Sequence, residues 1–477
     1  MSVRGVRATR VAALVLLLVA ALPARGPAAL GPRYGGEMRV AVSDLPSSLD
    51  PASPVGAGPR LAAGLVHETL VGIGPDGQLT PGLAGLSVST AEGQERAFVL
   101  DDEARFHDGR PLTADDAVRS LRAFLRGPGA AAGRLAHDLE GGLAFRSGEG
   151  DDLPGLIALD SHRLVLRLVS ASPACLAPLA SPAAAITSPA GAGAGPFLPA
   201  LFVPGQRLVV TAFPGHVRGR PYLDRVLVTA LPDPASRAAE ARAGRVDLAA
   251  GEPDVSALAA SLLLVLDPRR SPFDRPEARA AVGGAIDRSL LMGRLVPGGR
   301  PSTDLLSSLV WPPAGAPPSP GEPPPVRTAL LSGAVALSVS RDVPPAASQR
   351  VVAHLTALGL RVRVVAVSPA AALEAGTELR LLAFSPTVPE PALALEELLT
   401  LVPPSSSVAV RLDAARLEVD PARRLAALGQ AEDALRREGA IVPIGQVPVR
   451  FGGSPTAHGA RVDATGRLVL EDAWVEP

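Results

Sequence analysis

Residues Arg96–Leu125 read RAFVLDDEARFHDGRPLTADDAVRSLRAFL and carry three local signals in succession. Arg96–Leu100 is a short, mostly apolar run suited to a partly buried strand. Phe106-His107-Asp108-Gly109-Arg110-Pro111 is a turn, in which Gly109 supplies a permissive backbone and Pro111 a fixed φ. Thr113-Ala114-Asp115-Asp116 has the composition of a helix start. A threonine there can cap free N–H groups, and two aspartates place negative charge at the positive end of the helix dipole. Ala117, Val118, Leu121, Phe124 and Leu125 then fall on one helical face. The residues alone predict strand, turn and capped helix, and name no function.

Punctuated strands and helices extend outward in both directions. Gly35–Val42 is a strand entered by a glycine turn and closed by Leu49-Asp50-Pro51. Arg60–Val71 is a helix candidate. Leu159–Val169 alternates, with Leu164, Leu166 and Leu168 on one side and Arg163, Val165 and Arg167 on the other. Val335–Val339, Ser348–Leu358 and Arg361–Val367 make a β-α-β unit, which implies a parallel sheet. Leu379–Phe384 is a further strand, and Asp420–Arg437 a helix with Ala422, Leu425, Leu428, Ala431 and Leu435 on one face. The Pro- and Gly-rich stretch Pro312–Pro325 reads as a surface loop.

The segment Phe106–Asp116 resembles the most recognisable part of the bacterial extracytoplasmic solute-binding proteins of peptide and nickel ABC transporters. Asp101-Asp102-Glu103 departs from that family, which usually has a basic residue and a glycine there. Further motifs follow in the family's order: Pro81-Gly82-Leu83-Ala84, Gly193–Phe197, Gly219-Arg220-Pro221-Tyr222-Leu223-Asp224, Ala243–Leu248, Ala285-Ile286-Asp287-Arg288, Ala440–Ile444 and the terminal Val462–Leu468 with Glu471–Trp474. Each is weak alone, and their collinear order carries the resemblance. It implies that His107 and Asp108 are turn residues and not a catalytic pair.

The implied fold is α/β, a two-lobed periplasmic-binding-protein fold with a hinge and an extra subdomain on the first lobe. Residues 30–76, 187–258 and 445–477 would form lobe one, 77–186 its subdomain and 261–444 lobe two. The implied function is capture of a small-molecule or peptide ligand between the lobes and delivery to ABC transporter permease subunits in the membrane. The expected site follows from the family's Trp-x-Ala-Asp-Tyr-Pro-Asp-Pro pattern. Phe384 holds the Trp place, Thr387 the first Asp place, Val388 the Tyr place and Glu390 the second Asp place. Leu264 and Leu266 stand in a shortened crossing region, Gly251–Arg270, where aromatics would sit. In peptide-binding relatives that first Asp pairs with the peptide's terminal ammonium. A threonine carries no charge, so weak binding of free-amine dipeptides is expected unless Glu390 substitutes.

Composition excludes several other classes. The 477 residues are 47% hydrophobic and 19% charged, which suits a globular chain of two or three domains. A net charge of −1 gives no electrostatic case for nucleic acid. All 46 basic residues are arginine and lysine is absent, a bias best read as codon usage. The single cysteine, Cys175, excludes an intrachain disulfide and a multi-cysteine metal site, and it reads as a buried thiol. No metal, cofactor or catalytic motif is found, so the chain is not expected to be an enzyme. Met1–Ala29 resembles a secretory signal peptide, with Arg4, Arg7 and Arg10 ahead of the apolar Val11–Leu22. No cysteine follows it, so a periplasmic or otherwise extracytoplasmic monomer without a lipid anchor is expected, although an uncleaved anchor stays open. Two other functional readings stay open: a binding fold that has lost its ligand and serves as an envelope scaffold or sensor, and a secreted hydrolase.

Overall fold

Alternation, capping and turn chemistry place the elements close to where the sequence puts them. The computed structural model describes residues 31–51, 56–85, 88–89, 93–169, 174–311, 331–374, 376–403 and 406–476. The signal-like stretch Met1–Ala29 and the loop Pro312–Pro325 lie outside those residues. The elements that position the site are β1 (Glu37–Val42), α1 (Ala57–Val66), β2 (Glu95–Val99), α2 (Ala114–Arg126), α3 (Ala130–Asp138), β3 (Arg163–Arg167), β4 (Phe197–Val203), β5 (Arg207–Ala212), β6 (Arg225–Ala230) and α4 (Pro234–Arg242). They continue with β7 (Leu248–Leu266), β8 (Gly333–Ser340), α5 (Pro345–Ala357), β9 (Leu360–Val367), β10 (Leu379–Phe384), α6 (Pro391–Leu399), α7 (Pro421–Glu438) and β11 (Ile441–Gly453). All belong to one compact unit, Tyr34–Pro477.

The main sheet has the order β9-β8-β10-β7-β1-β6-β5-β4. β8 pairs in parallel with β9 and β10, so the β-α-β unit forms as its pattern predicts. β1 pairs in parallel with β6 and, at Val40 and Ala41, with the start of β7. The far end of β7, Ser261–Leu266, pairs antiparallel with β10. One 19-residue strand therefore runs from the first lobe into the second. β11 runs back beside it, from Ile441 opposite Val265 to Gly453 opposite Leu248. The pairing shifts register between Ala250 and Val255, between Ala257 and Ala260, and between Leu262 and Leu263. These irregularities break the ladder where the chain passes between lobes.

Each lobe has its own core. In lobe one, Met38, Val40, Val42, Leu61, Leu65, Val210, Val226 and Phe451 pack on one face of the sheet. In lobe two both faces are covered. Leu262, Leu264 and Leu266 join Phe273, Val351 and Leu355 on one, while Leu263 and Val265 join Leu395, Leu398 and Leu428 on the other. Leu264 and Leu266, expected as ligand contacts, are fully buried in this core. The reason is the two-sided cover: a strand with helices on both faces has no free side to offer. A third core lies under the small sheet of β2 and β3, where Phe98, Leu164 and Leu166 pack with Phe106, Leu121 and Leu135. Cys175 is buried in that core, and burial pushes its thiol pKa up.

The buried apolar residues of the opening segment, from Phe98 to Leu125, all belong to this third core. Asp116 closes a capping box: its carboxylate accepts from the Thr113 N–H at 3.1 Å and from the Thr113 hydroxyl at 2.8 Å, and it pairs with Arg110 at 2.7 Å. His107 holds the turn in place. Its backbone N–H donates to Gly193 O at 2.8 Å, and Nε2 lies 2.9 Å from Gly195 O.

Candidate functional site

In an open α/β sheet, ligands bind where the parallel strands end, outside their carboxyl edge. Here β1 ends at Ser43-Asp44, β8 at Ser340-Arg341-Asp342 and β10 at Ser385, and residues from all three ends meet at one cavity of about 290 Å³. The crossing strands form part of its wall, through Gly251, Ala260 and Leu262 of β7 and Val447, Val449 and Arg450 of β11. The cavity therefore lies between the lobes.

Its charged groups come from both sides. Arg237 on α4 is 5% exposed, and its guanidinium donates to Ala250 O at 2.9 Å and Leu231 O at 2.7 Å. Asp44 stands next to the lining residue Ser43 and accepts from its hydroxyl at 2.9 Å. Burial raises the Asp44 pKa, and the charges of Arg237 and Arg341 oppose that rise. Asp342 from the other lobe is also raised, first by desolvation and further by the charge of Asp44. Arg60 on α1 donates to Ser385 O at 2.6 Å, to Pro386 O at 3.3 Å and to Thr465 O. It thus ties lobe one to the loop that follows β10. Burial lowers its pKa, although Glu397 and Asp463 act against that.

Of the six residues expected to bind ligand, Phe384 and Thr387 line this cavity. Val388 is 1% exposed and packs with Ala177, Ala180 and Leu393 instead. Glu390 caps α6 by accepting from Leu393 N–H at 2.9 Å, and its other oxygen pairs with Arg424 at 2.7 Å. Both oxygens of that carboxylate are thus engaged within the second lobe. Leu264 and Leu266 lie in the core described above.

The acid beside Thr387 comes from α6. Glu397 accepts from the Thr387 N–H at 3.2 and 3.0 Å and lines the same cavity. Burial lifts its pKa to about 7, against the hydrogen bond from Thr387 and the charge of Arg60. Glu397 thus places a carboxylate beside Thr387 that the family motif does not account for. Sequence reading missed Glu397 because Glu396-Glu397 is an ordinary helical acidic pair, and only packing decides which member faces the cleft. Ser43-Asp44 and Ser340-Arg341-Asp342 did carry a signal, since polar residues directly after apolar parallel strands mark the ligand edge.

A second cavity, about 670 Å³, lies by Tyr34, Glu68, Tyr222 and Glu471. Its charges largely satisfy one another, with Arg218 2.7 Å from Glu68 and 2.9 Å from Glu471. Among the described residues no group of three or more His, Cys, Asp or Glu is placed to hold a metal ion. Among them, too, no helix is long and apolar enough to cross a membrane.

A family model described as bacterial extracellular solute-binding proteins, family 5 Middle, matches residues 78–335, more than half of the chain. The chain belongs to this family. The probable D,D-dipeptide-binding periplasmic protein DdpA of Escherichia coli (strain K12) is 26% identical over 226 residues. That match covers 43% of this chain and 41% of the relative, so it spans less than half of the relative's length. The substrate-binding domain of an oligopeptide ABC transporter from Bacillus anthracis str. Ames superposes with a TM-score of 0.79 at 16% identity, over 94% of this chain and 100% of that one. The ABC transporter-associated periplasmic binding protein DppA from Helicobacter pylori, in complex with peptide STSA, gives 0.78 at 18% identity, over 93% and 99%. Fold and family are thus those of two-lobed solute-binding proteins, and not of enzymes.

Proposed function

We propose that this family 5 protein is the extracytoplasmic solute-binding component of a peptide-type ABC transporter. It acts as a monomer that captures a small solute between its lobes and delivers it to membrane permease subunits. Lobe one comprises 30–76, 187–258 and 445–477, with 77–186 as its subdomain, and lobe two comprises 261–444. The observation that carries this reading is the inter-lobe cavity, walled by the carboxyl ends of β1, β8 and β10 and flanked by two crossing strands with broken ladders. Such strands are suited to absorb the backbone change of a hinge. The kinship with peptide-binding proteins of ABC transporters supports the same reading.

The test is a thermal-shift screen of peptides, nickel chelates and sugars, followed by small-angle scattering with any compound that raises the melting temperature. A stabilising solute that also reduces the radius of gyration is the expected result. Stabilisation at an unchanged radius would favour a second reading, a scaffold or sensor that does not close. One observation speaks for that alternative: Arg60 bonds α1 directly to the carbonyls of Ser385 and Pro386, a fixed tie between the two sides of the cleft.

A further inference from the structure

We propose that the second cavity, of about 670 Å³, is a separate binding site for a small organic acid, held through its carboxylate by arginines of the C-terminal segment. The cavity is distinct from the cleft. Its walls are the face of α1 that carries Arg60, Ala63 and Gly64, the loop from His216 to Tyr222, and the segment from Arg461 to Asp472. Among the described residues, no strand of the main sheet lines it. It shares only Arg60, Thr387 and Thr465 with the inter-lobe cavity.

Donors without acceptors gather around it. Arg461 makes no side-chain hydrogen bond or ion pair among the described residues, and its Nη1 is buried without a partner. Arg467 spends Nε on Asp463 at 3.0 Å, and its two terminal amino groups have no acceptor among the described residues. Its guanidinium lies across α1 at Gly64, where a Cβ would stand 2.7 Å from Nη1. Arg60 gives its terminal amino groups to carbonyls, while its Nε is buried without a partner. Burial, and beyond it the charge of Arg467, holds the Arg60 pKa down, so these two cations stand close enough to repel. Buried donors without acceptors are rare in folded proteins, and a bound oxyanion accounts for these. The acids of the same cavity do not serve. Glu68 and Glu471 are both held by Arg218, at 2.7 and 2.9 Å, and Glu68 also faces His216 at 3.4 Å. Asp472 is exposed to solvent.

The remaining walls favour a carbon skeleton. Tyr34 and Tyr222, the only tyrosines in the chain, stand here with ring centroids 5.0 Å apart, and Ala63, Ile73 and Pro182 add apolar surface. A guanidinium presents parallel N–H groups that match a carboxylate in its plane. Apolar walls beside it distinguish an organic acid from an inorganic oxyanion, and the volume lies in the range of small-molecule sites.

The experiment is calorimetry on the purified protein at neutral pH and low salt. The probes are succinate, citrate, benzoate and glucuronate, with phosphate and sulfate as inorganic comparisons. At least one of the organic acids should bind at least about tenfold more tightly than either inorganic ion. Arg461→Gln removes a cation that bonds to nothing in the described chain. Gly64→Ala drives the Arg467 guanidinium from its place. Each change should weaken the bound acid by at least about tenfold. Neither residue lines the inter-lobe cavity, so that loss locates the acid in the second cavity and not in the cleft. An acid bound equally well by both variants sits elsewhere, and the proposal is then wrong. It is also wrong if none of the acids binds, or if phosphate and sulfate bind as tightly as the acids, which would make the cavity a place for an adventitious ion only. Should Gly64→Ala not fold, Arg461→Gln decides alone. None of these outcomes bears on the solute-binding reading of the cleft, which its own screen tests.

Discussion

Glu432 is 3% exposed, and one of its oxygens accepts from the backbone N–H groups of Leu305 and Leu306 at 2.6 and 3.2 Å. Burial lifts its pKa from 4.5 to about 7. Between those values the folded protein holds a proton that the unfolded chain has lost. Stability therefore falls as pH rises through that window, and it stays lower above pH 7. Glu397 titrates in the same window and adds to the slope. Glu432→Gln keeps an acceptor and carries no charge. We expect it to be near neutral at pH 5 and to stabilise by roughly 2–3 kcal/mol at pH 8. Urea unfolding of both proteins at the two pH values is the check, and parallel pH dependences would refute it. A second buried charge acts in the opposite sense. Arg134 and Asp138 are 2.9 Å apart, each with a side chain only 2% exposed. Arg134→Leu leaves Asp138 buried without its cation and should cost roughly 3–5 kcal/mol, much of it recovered by the double change with Asp138→Leu.

Asp116 anchors the start of α2 and holds Arg110, so Asp116→Ala should lose both the cap and the ion pair. A loss of roughly 1–2 kcal/mol is expected, read as a lowered unfolding midpoint. That helix shows why local elements were legible. The sequence places a strand at Arg96–Leu100 and a helix start at Thr113, and the structure has Glu95–Val99 and Ala114–Arg126. Alternation, turn residues and caps act over a few residues, so a few residues reveal them. The β8-α5-β9 unit was legible for the same reason. β7 was not. Gly251-Glu252-Pro253-Asp254 reads as punctuation, yet the strand continues through it, because β11 from the far end of the chain supplies the partner and the register shift. The leucine run Leu262–Leu266 gave no sign of its neighbours, and covered faces turned Leu264 and Leu266 from expected ligand contacts into core. Of the residues expected from motif order, Phe384 and Thr387 line the inter-lobe cavity. Glu397 was not legible, since no local pattern tells which acid of a helical pair turns toward a cleft.

At the scale of the whole molecule, Arg60 is one tie that spans the cleft. Arg60→Ala removes the bonds from α1 to Ser385 and Pro386. The lobes should then open further in the absence of solute, which scattering would read as a larger radius of gyration. An unchanged radius would show that the crossing strands alone set the angle between the lobes. The path of those strands also bears on how the protein is made. Phe451 and Leu468 sit in one core with Met38 and Val40, so a segment synthesised after the whole of lobe two completes the first lobe. β11 also closes the flank of β7 along nearly its whole length. A nascent chain that has emerged only as far as Glu438 thus carries an unfinished first lobe and a long unpaired strand edge, the kind of edge that recruits other chains. Neither lobe can be sealed in order of appearance. The returning segment works as a late-arriving keystone, and folding of both lobes has to wait until it has emerged.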